Sequence, residues 1–175
     1  MDIKIGIAQD SWGVWFPSDE RQTPWHRYLD EVVEAGYEWT ELGPYGYLPA
    51  DVPTLQKELN RRKLKVTGTF AMASLEDPSA WPELERQVLG AGEQLSNLGA
   101  HYLVLIDDTY TNLFTGEFTA PSTLDDTGWQ RLVDTTHRVA RLAKERFGLQ
   151  LVFHPHAETH IETTEQIIRF LEKTD

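Results

Sequence analysis

The chain has 175 residues, 40% hydrophobic and 25% charged, with 28 acidic against 16 basic side chains and a formal net charge of −12. That length suffices for one domain with its own core, and the charge disfavours a polyanionic partner such as nucleic acid. No apolar run approaches the roughly 18 residues of a membrane span, and the absence of cysteine rules out disulfides, thiolate nucleophiles and Cys-type zinc sites, leaving histidine and carboxylate as the only metal ligands.

The N-terminal MDIKIGIAQDSWG lacks the basic start and long apolar stretch of a secretory signal, which predicts a cytoplasmic protein. Ile3 to Ala8 alternates and reads as a first strand. Thr23 as cap and Pro24 at the first helical position open a helix. Leu29, Val32 and Val33 give it an apolar face, and Gly36 stops it. Tyr37 to Leu42 reads as the second strand, ended by Gly43-Pro44. A second helix follows, with Asp51 as cap and Leu55 and Leu59 turned inward. The basic run Asn60-Arg61-Arg62-Lys63 falls at its end, where it complements the helix dipole. Leu64 to Phe70 is the third strand, and a helix from Ser79 to Leu98 ends at Gly99. Tyr102 to Ile106 is the plainest strand in the chain. The long connection from Asp108 to Leu124, aromatic and polar, suits either a lid or disorder. A helix from Asp125 to Arg146 stops at Gly148, and Leu149 to Phe153 is the fifth strand. Thr163-Thr164-Glu165-Gln166 then forms a capping box for a fifth helix.

Five strand-then-helix units in a row predict a parallel sheet covered by helices. Two architectures compete, an open doubly wound sheet and a (β/α)₈ barrel. No GxGxxG or phosphate-loop motif follows any strand, so the nucleotide-binding open sheet loses ground. The strand ends carry polar groups instead: Gln9 to Trp12, Glu41, Asp107-Asp108, then His154 and His156. Either fold puts its site at such ends. A barrel needs eight strands and five are read. Either the chain is part of a longer barrel, or a second copy, making a homo-oligomer, covers the open sheet edge.

Along LVFHPHAETHIET, residues 151 to 163, side chains alternate. Val152, His154 and His156 share one face; Leu151, Phe153 and Pro155 share the other. Leu151 and Phe153 suit the helix layer, which puts both histidines at the inner mouth. There they are metal ligands, hydrogen-bonded structural groups or a pH-sensitive patch. His160 is expected in an exposed loop. Glu162 either favours the helix N-terminus or turns inward as acid or base. Glu41 shares a face with Tyr37 and Trp39. Beside those rings its carboxyl would titrate high enough for proton transfer; the alternative is a solvated strand end paired with a lysine or arginine. Trp12, Trp15, Phe16, Tyr45 and Tyr47 either stack on sugar rings or cover the barrel top. Of Asp107 and Asp108, one points in toward a ligand or metal-bound water and the other caps the loop. His26, His101 and His137 read as structural.

The runs IAQDSWGVWFP, WTELGPYGYLP and HPHAETHIET together resemble the inosose dehydratase branch of the xylose-isomerase-like sugar phosphate isomerase/epimerase family. The resemblance covers essentially the whole chain and the first five-eighths of the family's barrel. It implies an α/β fold, a (β/α)₈ TIM barrel of which residues 1–175 form one partial domain. It also implies one divalent metal (Mn, Co, Zn or Mg), held in the family by Glu, Asp, His and Glu from strands 5 to 8. At the strand 5 position this chain carries His154, its candidate first ligand; the other three are expected beyond residue 175. With the resemblance in hand, Glu41 and His156 are assigned to proton transfer or hydroxyl binding. Trp12, Tyr45, Asp107 and Glu162 are the candidates for binding a small polyol or sugar. The implied chemistry is proton removal beside a ketone. Loss of water completes it in a dehydratase, and reprotonation completes it in an isomerase or epimerase. A non-catalytic half-barrel that binds a polyol or a partner is the third reading. Nucleic acid and membrane partners are not expected.

Overall fold

In the computed structural model, which describes residues 3–174, every strand runs parallel to its neighbours. One triplet contains β1 (Gly6–Ile7), β2 (Trp39–Thr40) and β3 (Lys65–Val66) in that order; the other contains β4 (Gly68–Ala73), β5 (Tyr102–Asp107) and β6 (Gln150–Phe153). β3 and β4 are the halves of one extended segment broken at Thr67, so the expected third strand serves both triplets. Backbone bonds close the seam: the Thr67 N–H donates to the Thr40 carbonyl at 3.0 Å and the Leu42 N–H to that of Gly68 at 3.1 Å. Glycine is needed here, because a Cβ on Gly68 would lie 2.8 Å from the Tyr102 carbonyl oxygen.

Five helices cover the sheet: α1 (Trp25–Glu34), α2 (Val52–Arg62), α3 (Trp81–Leu98), α4 (Asp126–Phe147) and α5 (Thr164–Leu171). Three start as their sequences dictate. Asp51 accepts from the Thr54 N–H, Asp125 accepts from the Gly128 N–H, and Thr163 and Gln166 close a reciprocal capping box. α1 departs from expectation. Pro24 itself, extended at ψ 139, is the N-cap; no side chain caps the helix, and the helix begins one residue late. Replacing Asp125 with alanine is expected to cost about 0.5–2 kcal/mol, read as a lower urea midpoint at unchanged slope.

Strand alternation separates two faces. Ala71, Ala73, Leu103 and Leu105 are buried under the helices in one cluster with Val88, Ala91 and Leu95 of α3 and Leu132, Val139 and Ala143 of α4. Phe70, Met72, Val104 and Ile106 point the other way and line a concave inner face. Leu151 and Phe153 join the helix side, where the Phe153 ring lies 4.3 Å from that of Phe170. The basic run ending α2 is engaged in ion pairs: Arg62 meets Asp30 and Glu58 at 2.7 Å each, and Arg61 meets Glu58 at 2.9 Å. Among the described residues no helix is long and apolar enough to cross a membrane.

Candidate active site

The strand ends deliver polar groups to one cavity of about 570 Å³, within the range of small-ligand pockets. Its floor is the apolar inner face just described. Trp15, Phe16 and Leu113 form its walls, and Asp10, Glu41, Thr109, His154 and His156 its polar rim.

Each rim residue is placed by its local chain. β1 runs straight into a 3-10 turn, Gln9–Trp12, which turns Asp10 toward the mouth. The Gln9 amide donates to Asp10 at 2.9 Å. Glu41 directly follows β2, and its N–H donates to the Ile7 carbonyl at 3.2 Å. The chain can then turn because Gly43 adopts φ +77; a Cβ there would lie 2.7 Å from the Cγ of buried Gln9. His154 follows β6, anchored by its N–H to the Leu105 carbonyl at 3.0 Å. Pro155 keeps the chain extended, so His156 returns to the same face, with ring centroids 5.7 Å apart. The His156 Nδ1 donates to the Ala157 carbonyl at 2.8 Å, which orients the ring and leaves Nε2 as the nitrogen free to act at the cavity.

The electrostatics follow from burial. Burial pushes the Asp10 carboxyl up, opposed by the Gln9 amide and by the charges of His154 and His156. Burial likewise raises Glu41, and the neighbouring charge of Asp10 raises it further. The aromatic company foreseen for Glu41 is different in detail. Trp39 lies between two ammonium groups, 4.7 Å from Lys4 and 5.4 Å from Lys65, while Trp15, Phe16 and Phe70 share the cavity with Glu41.

Four expected substrate contacts turn away from this cavity. Trp12 donates its indole N–H to Glu31 of α1 at 2.6 Å and meets Tyr28 edge-on at 5.0 Å. Tyr45 lies over Gly90 of α3, where a Cβ would come within 2.1 Å of its ring, with the Arg86 guanidinium 5.4 Å away. Asp107 shares the helix-side face of Leu103 and Leu105 and is only 1% exposed. Glu162 is exposed and accepts from the Tyr110 hydroxyl and the Glu158 N–H, each at 3.0 Å. Asp108 is the loop cap, accepting from the Thr109 N–H at 2.8 Å. His160 is buried rather than exposed. Asp10 and Thr109 complete the rim without having been singled out.

The long connection after β5 is folded. Thr111 and Phe118 form an antiparallel bridge, and Tyr110 stacks on Phe118 at 5.8 Å. Phe114 reaches back to Phe16 at 6.2 Å. The hairpin is tied to the segment after β6 through Glu158, whose carbonyl accepts from the Tyr110 N–H at 2.9 Å and whose carboxylate accepts from the Thr111 hydroxyl. Glu158 holds a left-handed φ of +61 to do so.

By donor chemistry the rim fits a divalent ion in part. Two imidazoles face the cavity, and the His156 backbone bond is the kind that orients a ligating ring. Among the described residues, the group of three potential ligands within reach of one another is Glu76, Asp107 and His160. It lies on the helix side of β5, so the rim by itself is an incomplete coordination set.

The family described as xylose isomerase-like TIM barrel matches residues 29–175. The chain is 31% identical over 186 residues to the inosose dehydratase of Geobacillus kaustophilus, covering 99% of this chain and 57% of that protein. It is 26% identical over 182 residues to the inosose dehydratase of Clostridium perfringens, covering 99% and 59%. The chain thus spans less than two thirds of the length of these curated relatives. Among solved structures, D-psicose 3-epimerase from Clostridium cellulolyticum H10 superposes with a TM-score of 0.68 at 18% identity, covering 99% of this chain and 60% of that one. The IolI protein with a bound zinc atom gives 0.61 at 18%, covering 97% and 58%. At these identities the structural likeness shows the fold.

Proposed function

The chain belongs to the xylose isomerase-like TIM-barrel family, and from that premise we propose that it supplies the substrate mouth of a lyase that dehydrates a cyclic polyol ketone. The observation that carries the proposal is the meeting of Asp10, Glu41, His154 and His156 around one cavity, with the Glu41 carboxyl raised above its ordinary range. Similarity to inosose dehydratases supports dehydration as the outcome.

In this proposal Glu41 takes the proton from the carbon beside the ketone. The electrons of that C–H bond move into an enolate. The β-hydroxyl then leaves as water, taking a proton from His156. A base works best when it titrates near the operating pH, and the burial of Glu41 moves it that way. Asp10 accepts hydrogen bonds from ring hydroxyls, and Trp15 and Phe16 cover the ring's apolar face. His154, with further ligands from outside these residues, would hold a divalent metal, which would supply positive charge to stabilise a developing enolate. The chain's own residues position the ring, exclude water and move the two protons.

An isomerase or epimerase shares the first step and returns the proton instead of expelling water. Incubation with inosose and with a ketohexose, each with Mn(II) or Co(II), separates the outcomes. Dehydration is expected to produce an ultraviolet-absorbing enolised dione. A new sugar epimer seen by NMR would replace the lyase reading with an epimerase. With these residues carried in a complete barrel, no product and no deuterium uptake from D₂O into either substrate would overturn the proposal.

A further inference from the structure

On the helix side of β5 lies a polar knot that the proposed reaction does not use. His160 is 4% exposed and Asp107 1%. Both ring nitrogens of His160 face acceptors: Nδ1 is 2.8 Å from Asp107 Oδ2, and Nε2 is 3.0 Å from the Pro121 carbonyl oxygen. A neutral imidazole has one N–H and would leave one of these contacts as two opposed lone pairs. Asp107 serves as an acceptor on both oxygens. Its Oδ1 already accepts from the Leu75 N–H at 3.2 Å and its Oδ2 from the His160 backbone N–H at 3.1 Å. A ring protonated on both nitrogens satisfies all of these acceptors at once.

We propose that His160 is a buried imidazolium that clamps the cavity-edging hairpin, through Pro121, to the end of β5 and to the segment carrying His154 and His156. It is a positioning residue, and the proposal is independent of the reaction proposed above. The hairpin contributes Thr109 and Leu113 to the cavity, and Pro121 lies on its return arm.

The surrounding groups fit a cation. Asp107 faces the ring from the end of β5. Glu76, from the segment after β4, brings Oε2 to 3.9 Å from Nδ1, and that oxygen is buried with no hydrogen-bond partner. The hairpin contributes the Pro121 carbonyl and the Tyr110 ring, whose centroid is 5.9 Å from that of His160. Burial alone would lower the imidazole. The bond and charge of Asp107, the Pro121 carbonyl and the charge of Glu76 outweigh it, so the ring titrates above its ordinary range. The sign follows. A raised histidine contributes stability that is complete below about pH 6.5, the unfolded value, and is lost as pH rises through the folded value. The clamp is closed below that folded value and opens as pH rises through it.

The test is ¹⁵N NMR of the intact chain with labelled histidine, His160 being assigned by its loss in His160→Gln. Both ring nitrogens of His160 are expected to carry protons at pH 7. Amide exchange at Tyr110 and Thr119, corrected for base catalysis, is expected to quicken about tenfold or more as His160 titrates, the factor one charge-assisted hydrogen bond is worth. The Leu105 amide, in β5, should not follow. In His160→Gln the hairpin amides should exchange fast at every pH. If that variant does not fold, the wild-type ring signals decide alone. One protonated ring nitrogen at pH 7 would overturn the proposal. So would signals that move on adding Zn(II) or a chelator, because a bound ion would occupy the Nδ1 lone pair in place of the proton.

Discussion

Replacing Glu41 with glutamine is expected to slow removal of the proton beside a bound ketone by about two to four orders of magnitude, the usual worth of a positioned base. Glutamine keeps the size and a hydrogen-bonding oxygen of Glu41 but cannot take a proton. Deuterium uptake from D₂O into the substrate, followed by NMR, reads this step whether water is later lost or the proton returned. The pH dependence carries a second signature. Glu41 must be ionised to act, so the rate should climb as pH rises through its elevated value. Burial sets most of that elevation and the charge of Asp10 adds to it. In Asp10→Asn the added charge is gone, and the climb should move to lower pH. Unchanged uptake in the glutamine variant would remove Glu41 from the role of base.

Asp107→Ala is expected to be the most destabilising of the substitutions considered, by about 3–5 kcal/mol, the cost of stripping one partner from a buried ion pair. Three donors lose their acceptor at once: the His160 ring and the backbone N–H groups of Leu75 and His160. None can turn to solvent, since His160 is 4% and Leu75 1% exposed. Urea unfolding at pH 6 should show the full loss. At alkaline pH the difference should narrow, because a neutral His160 no longer needs a counter-charge. A loss below about 1 kcal/mol at pH 6, the level of exposed pairs, would mean that the knot carries no buried charge.

What could be read from the amino-acid order was local. Asp51, Asp125 and Thr163 announce their helices because a cap and its N–H partner lie three residues apart. Gly99 and Gly148 end theirs at φ +71 and +69, where a side chain is strained. His154 and His156 could be put on one face because strand alternation has a period of two. The same logic failed for Asp107. Tyr102 to Ile106 is apolar on both faces, as a strand covered on both sides tends to be, so nothing in it says which face Asp107 joins. Its partner His160 lies 53 positions away, beyond any local pattern. Asp10 stood among the polar groups at the strand ends, but could not be told from its neighbours for another reason. The 3-10 turn after β1 breaks the alternation, sending Gln9 into the interior and Asp10 to the mouth. The break at Thr67 left one trace, the glycine that follows it: the sequence alternates straight through Leu64, Val66, Phe70 and Met72, although Leu64 and Val66 join the buried core and Phe70 and Met72 line the cavity.

The left-handed backbone at Glu158 has a consequence for any campaign to toughen this protein. A non-glycine residue in that conformation is disfavoured by about 1–2 kcal/mol, and selection for heat resistance alone would push position 158 toward glycine. Such a change would also delete the carboxylate that fastens Thr111. The survivors of that selection would trade an uncomfortable corner for a lost tether, with the Glu158 carbonyl's bond to the Tyr110 N–H left to hold the hairpin at that point.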